Sequence, residues 1–368
     1  MECFRTLSLT INTECGMRCP HCDLPVYSRA STDHLSSDGW AALLDRVLPI
    51  IQPEVVALAA REPLFDSRTR EITRRVLRTA RNYGIRCGLV SNGINSNKFF
   101  KEMDSPFRFD YMDLSLEGTK EVDGILRGAA HFEMIERFFD QAEYKRHVDA
   151  LYLSTTLTAA NSSKKQLNEY FSWVLDHMDE PNLALLLLYP NHNVPKTLAL
   201  NSKDVERIVQ LASAVSPRFK NIFLEVFPGS VPNLCQLIED GVLPGGDEVL
   251  RDNAGVLCGY VAEDLMIRYI TPYDLLKYHL RISPEGIAMS SGGVEDSDYL
   301  KSNYGNLLLE DLSVVRGRIV TELEQWDPIG PSECRERRCF RICRGSNNRC
   351  PVLQDRVEEV DYAREVCT

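Results

Sequence analysis

At 368 residues the chain is long enough for one large core with an appendix, or for two domains. Its formal net charge of −11 argues against an electrostatic grip on nucleic acid, which needs a basic face, and permits a cationic substrate. It has neither a long apolar run nor a basic leader followed by an apolar stretch, so the expected protein neither spans a membrane nor is exported, and its expected location is the cytoplasm.

The first predicted strand, over residues 7–11, runs into Cys15-Gly-Met-Arg-Cys19-Pro-His-Cys22, a C-x3-C-x2-C loop. Twelve cysteines without an export signal point to metal or catalysis, because reducing compartments keep thiols out of disulfides. Three thiolates cannot complete the four positions of a cubane iron–sulfur cluster, so one iron would stay open to a small molecule. The competing reading is a structural zinc site that borrows Cys3 or a distant cysteine as fourth ligand.

Short apolar runs then alternate with longer amphipathic segments. Strands are predicted over 7–11, 55–59, 86–90, 111–116, 151–157 and 183–188, and helices over 38–48, 67–83, 97–103, 132–146 and 164–177. Six such units predict a parallel sheet curved into a partial barrel. Its ligand-binding groups would gather at the carboxyl ends of the strands, where Cys15, Glu62, Asn92 and Glu117 fall. A helix over 203–215 and a strand over 222–227 follow, and residues 228–257 read as a linker or irregular cover. Cysteine returns at Cys258 and in Cys334-x4-Cys339-x3-Cys343-x6-Cys350. Cys87, on a predicted inner strand, is expected to be packing. Tyr83, Phe132, Phe138 and Phe171 fall on helix faces and are expected in the core.

Taken in order, these segments resemble the radical SAM superfamily. The cysteine loop is similar to its cluster-binding signature. Ala59-Ala60-Arg61-Glu62-Pro63-Leu64 resembles its Gly-Gly-Glu-Pro-Leu motif, with the glycines replaced, and implies that Glu62 holds the amino group of S-adenosylmethionine. Leu89-Val90-Ser91-Asn92-Gly93 resembles the Thr-Asn-Gly strand end and adds Asn92 to the cofactor groups. Asp113-Leu114-Ser115-Leu116-Glu117-Gly118 resembles the Ser-x-Asp-Gly element that meets the ribose. Glu117 takes the place of the usual aspartate and keeps its capacity to accept hydroxyl hydrogen bonds. Arg127-Gly128 resembles the Arg-Gly that reaches the carboxylate. His21 sits where many members carry an aromatic residue and is expected to shield the cluster.

The resemblance implies a [4Fe-4S] cluster on Cys15, Cys19 and Cys22, an external one-electron donor of flavodoxin or ferredoxin type, and a 5′-deoxyadenosyl radical that abstracts a substrate hydrogen. The segment Arg281-Ile282-Ser283-Pro284-Glu285-Gly286-Ile287, followed by Gly305-Asn306-Leu307, resembles the hairpin of SPASM and twitch domains, which carry auxiliary [4Fe-4S] clusters. It implies one auxiliary cluster on Cys258, Cys334, Cys339 and Cys343, with Cys350 as substitute; zinc on the same four is the alternative. Cys235, in the cover, is a candidate hydrogen-atom donor or a plain free thiol.

The expected architecture is therefore an α/β radical SAM partial (β/α)6 barrel over 1–227, a linker over 228–257 and a SPASM/twitch-like domain over 258–368. Cys15 stands close to the start, with no room before it for the peptide-recognition domain of many peptide-modifying members. That favours a small polar substrate, aminocyclitol- or sugar-like, undergoing dehydrogenation. Epimerisation, peptide or protein modification, and a silent zinc or electron-transfer protein are the alternatives.

Overall fold

The computed structural model describes residues 4–22, 34–103, 106–189, 194–289, 303–325 and 337–343. Cys334 and Cys350 lie outside them. Seven parallel strands follow one another in space as in sequence: β1 (Thr6–Leu9), β2 (Val55–Leu58), β3 (Arg86–Ser91), β4 (Phe109–Ser115), β5 (Val148–Leu157), β6 (Asn182–Leu187) and β7 (Asn221–Val226). Between them run α1 (Ser37–Ile51), α2 (Ser67–Asn82), α3 (Ser96–Lys101), α4 (Lys120–Leu126), α5 (His131–Gln141), α6 (Lys164–His177) and α7 (Ser202–Val215). The helices start where a side chain can take up orphan amide protons: Ser36 accepts from Gly39 N, and Asp66 and Asn201 close capping boxes.

Residues 228–257, expected to be irregular, contain a short helix, α8 (Leu234–Glu239), and β8 (Leu250–Arg251). The chain then supplies β9 (Leu257–Val261), β10 (Leu265–Tyr269), α9 (Pro272–Tyr278), β11 (His279–Ile282), β12 (Ile287–Met289), β13 (Asn303–Asn306), α10 (Leu312–Gln325) and α11 (Phe340–Cys343). β10 pairs parallel with β7 at one end of the barrel strands, and β11 pairs parallel with β1 at the other. The result is one sheet of order β13-β12-β11-β1-β2-β3-β4-β5-β6-β7-β10-β9-β8. The hairpin anticipated around Gly286 is present as β11 and β12, and it extends the barrel sheet itself.

The sheet curls. Arg5, just before β1, donates to the carbonyl of Asn253 in the β8–β9 turn, and its guanidinium lies 5.4 Å over the ring of Tyr278. His279 on β11 lies within the field of Arg268 on β10 and of Asp252; burial and then Arg268 push its pKa down to about 4. Alternation divides the strands into two faces. Leu7, Leu9, Met112, Leu114, Leu153 and Leu224 are fully covered on the helix side. Ser8, Tyr111, Asp113, Ser115, Tyr152, Phe223, Glu225 and Arg268 stand on the other, partly open lumen side. Gly88 makes room for one of these, since a Cβ there would sit 2.0 Å from Tyr111 Cζ. Phe132, Phe138, Phe171 and Cys87 are buried as expected, but Tyr83 is 41 % exposed, because it caps the end of α2 rather than facing the core. Among the described residues no helix is long and apolar enough to cross a membrane.

Candidate active site

The loop after β1 carries Cys15, Cys19 and Cys22, all partly exposed, with a turn in which Cys22 N donates to Cys19 O at 3.1 Å. Burial pushes the Cys19 thiol up to about 11, against the pull of Arg127. A coordinated metal reverses such a preference, because it takes the thiolate outright. Glu62 N, from the loop after β2, donates to Glu14 O at 3.3 Å, and Asn92 Nδ2, from the end of β3, lies 3.7 Å from Cys15 Sγ. The cysteine loop thus touches groups from successive strand ends, and three cysteine thiols are the donor chemistry that a cluster with an open position takes, although among the described residues no three such side chains are gathered closely enough to hold a metal ion.

Glu62 does not project freely into the rim these strand ends form. Its Oε1 accepts from Leu64 N at 3.0 Å and Ser91 Oγ at 2.9 Å, and its Oε2 accepts from Asn92 N at 2.7 Å. Burial raises its pKa, while these three donors oppose the rise. The Ala60 and Arg61 backbones, where the family motif has glycines, have φ of 61° and 48°. The left-handed turn is kept without the residue that adopts it at no steric cost. Gly93 does hold a glycine position: φ is 83°, and a Cβ would meet Ile135 at 2.8 Å and Leu114 at 2.9 Å.

Glu117 and Arg127 meet each other. Glu117 Oε1 accepts from Arg127 Nε at 2.9 Å and Nη2 at 2.5 Å and lies 3.2 Å from His21 Nε2, while Oε2 accepts from Thr156 N at 2.6 Å. Burial alone would raise the Glu117 pKa, but Arg127 and His21 bring it down to about 2. The remaining guanidinium nitrogen of Arg127, Nη1, is 4.0 Å from Met17 Sδ in the cysteine loop. Beneath them, His131 bridges Asp123 Oδ2 at 2.7 Å and Asn92 O at 2.8 Å, and Asp123 Oδ1 accepts from Glu117 N at 3.0 Å. Ser115 stands on the lumen face of β4, in register with Ser154.

The supporting groups Ser91, Asp123, His131, Thr156 and Asn161 were not singled out in the sequence, since a buried network joins positions far apart in the chain. One signal was available. Tyr111, Asp113 and Ser115 alternate with apolar residues in a strand expected to be central, which marks a polar lumen face.

The second cysteine set needs correction. Cys235, expected as a free donor thiol, is joined to Cys339 in a disulfide, with Cα atoms 5.2 Å apart. The thiol hydrogen needed for donation is absent in that state. Cys258 stands on the lumen face of β9, its sulfur 3.7 Å from Asp252 Oδ2 and 3.6 Å from Val256 O. Cys343 follows Cys339 by one helical turn, with Cys343 N donating to Cys339 O at 2.8 Å.

Neither a family model nor any curated protein matches this chain. Solved structures do match. anSMEcpe with bound AdoMet is similar over 94% of this chain and 86% of its own, with TM-score 0.62 and 16% identity. anSMEcpe with AdoMet and the Cp18Cys peptide matches over 92% of this chain and 88% of its own, with TM-score 0.60 and 16% identity. SuiB of Streptococcus suis bound to its precursor peptide SuiA matches over 94% and 72%, with TM-score 0.65 and 11% identity. This is the α/β fold that the radical SAM resemblance implied.

Proposed function

We propose that this chain, which has the α/β fold of radical SAM enzymes, is itself one, with a [4Fe-4S] cluster on Cys15, Cys19 and Cys22 and S-adenosylmethionine at the open iron. The observation that carries the reading is the convergence of successive strand ends on the cysteine loop: Asn92 at Cys15, the Glu62 backbone at Glu14, and Arg127, held by Glu117, at Met17. A zinc knot requires no such assembly. Arg127, locked by Glu117, presents its free edge to the cysteine loop and suits the cofactor's carboxylate. Glu62 shapes the rim from beneath, Ser115 would border the ribose, and the buried Glu117 would hold Arg127 beside it. The bound pair would supply a 5′-deoxyadenosyl radical that removes a hydrogen atom from substrate in the lumen. An external flavodoxin- or ferredoxin-type donor would provide the electron, in the cytoplasm.

The finer reading is a two-electron oxidation of a small polar substrate. The substrate's second electron would go to an auxiliary [4Fe-4S] cluster, and the substrate would release a proton. For that cluster we take Cys235, Cys339 and Cys343 in their reduced form as ligands, because Cys339 meets Cys235 and Cys343 follows Cys339 by one helical turn. A peptide substrate is the second reading, favoured by the peptides bound in anSMEcpe and SuiB. The test is anaerobic reconstitution followed by reduction with dithionite in the presence of S-adenosylmethionine. 5′-Deoxyadenosine should form in the wild type and not in Cys19→Ala; no cleavage by iron-loaded wild type would refute the proposal.

A further inference from the structure

Among the described residues two charged groups on the lumen face stand without a hydrogen-bond partner, Asp113 on β4 and Arg281, which pairs with Ser8, on β11. Asp113 lies mid-strand on β4, in register with Val90 and Tyr152, and its neighbours Met112 and Leu114 are fully covered on the opposite face. It is two residues below Ser115, about 7 Å deeper than the cofactor rim. Among the described residues its carboxylate makes no hydrogen bond and no ion pair. The cation that acts on it, Arg268, is committed elsewhere. Arg268 Nη1 donates to Glu225 Oε1 at 2.8 Å, and its guanidinium lies 4.8 Å over the ring of Phe223.

With Asp113 ionised, the three groups hold two carboxylates and one guanidinium, an excess of one negative charge on the partly open lumen face. Burial first, and Glu225 second, push the Asp113 carboxyl up to about 7, and Arg268, which it shares with Glu225, offsets them only in part. The surroundings fit a small polar cation. Tyr111 and Tyr152 face the same lumen, and Asp113, Tyr111, Tyr152 and Arg268 all retain partial exposure there. A partly exposed carboxylate without a bonded partner gains from an ammonium or guanidinium by a charge-assisted hydrogen bond.

We propose that Asp113 is the binding residue for a cationic group of the substrate, an ammonium carried either by a small polar molecule or by a peptide side chain. This rests on the lumen being the substrate chamber of the radical SAM reading. The test uses the full chain, anaerobically reconstituted and saturated with S-adenosylmethionine, titrated calorimetrically with two matched pairs. One is trans-4-aminocyclohexanol against trans-1,4-cyclohexanediol. The other is Nα-acetyl-lysinamide against Nα-acetyl-norleucinamide. In at least one pair the charged member should bind about tenfold more tightly, and the preference should vanish in Asp113→Asn while the Kd for S-adenosylmethionine is unchanged. A response in the first pair identifies a small molecule as the source of the ammonium, and one in the second a peptide. Glu225→Gln, which also removes the excess charge, should weaken the preference and serves if Asp113→Asn does not fold. S-Adenosylmethionine binding without any ammonium preference, or with one that survives these substitutions, overturns the role of Asp113 and leaves the radical SAM reading standing. Failure of the wild type to bind S-adenosylmethionine removes both.

Discussion

Arg127 grips Glu117 through two nitrogens, at 2.9 and 2.5 Å, in a place where the Glu117 side chain has no exposure. A buried pair of this geometry is costly to break from one side, because the survivor is left charged and unpartnered. Arg127→Met should destabilise the protein by about 3–5 kcal/mol and raise the Kd for S-adenosylmethionine. Calorimetric titration and a denaturant melt measure the two effects, and an unchanged Kd would show that Arg127 does not face the cofactor.

The same pair sets an acid limit. The Glu117 carboxyl is depressed from 4.5 to about 2 in the folded protein, so its stabilisation is complete above about pH 4.5 and is lost as the pH falls toward 2. The shift corresponds to about 3 kcal/mol. Unfolding free energies of wild type and Glu117→Gln, measured from about pH 6 to 3, should converge on acidification. Parallel curves would disprove the assignment.

Ala60 sits in the left-handed region with φ 61°. For an L side chain that conformation costs about 1–2 kcal/mol, so Ala60→Gly should stabilise by about 1 kcal/mol after the extra entropy glycine loses on folding. A higher denaturant midpoint is the expected result; a lower one would mean that the turn is not left-handed.

Gly88 works in the opposite sense. A methyl group there collides with the Tyr111 ring at 2.0 Å, and Gly88→Ala should cost about 1–3 kcal/mol. In the double variant Gly88→Ala/Tyr111→Ala much of that cost should disappear. Strict additivity of the two losses would argue against the contact.

Iron analysis separates the cysteine sets. Anaerobically reconstituted protein should hold about eight irons, and about half after Cys15, Cys19 and Cys22 are all changed to Ala. Cys235→Ala should also lose iron, whereas Cys258→Ala should keep the wild-type count. The reverse result would restore Cys258 as a ligand and release Cys235.

What the sequence determined by itself was local and periodic. The alternation of apolar runs placed all seven barrel strands within a few residues, and the helices between them begin close to where the pattern predicts, except α4, which the pattern does not show. The cysteine loop and Glu62, Asn92 and Glu117 could be assigned to strand ends because in a parallel α/β unit that position follows directly from strand length. Partnerships were not legible. That Glu117 spends its oxygens on Arg127, His21 and Thr156, that His131 props Asn92, and that Cys235 meets Cys339 all depend on contacts between residues about ten to a hundred positions apart. Nor could the order of the sheet be read. The late strands β10 and β11 flank β7 and β1, and it is this closure that brings Arg268 and Glu225 into the field of Asp113. Short-range periodicity follows from backbone geometry, which each segment carries within itself. The pairing of distant side chains is decided only when the folded core excludes water and forces each buried charge to find a partner or go without.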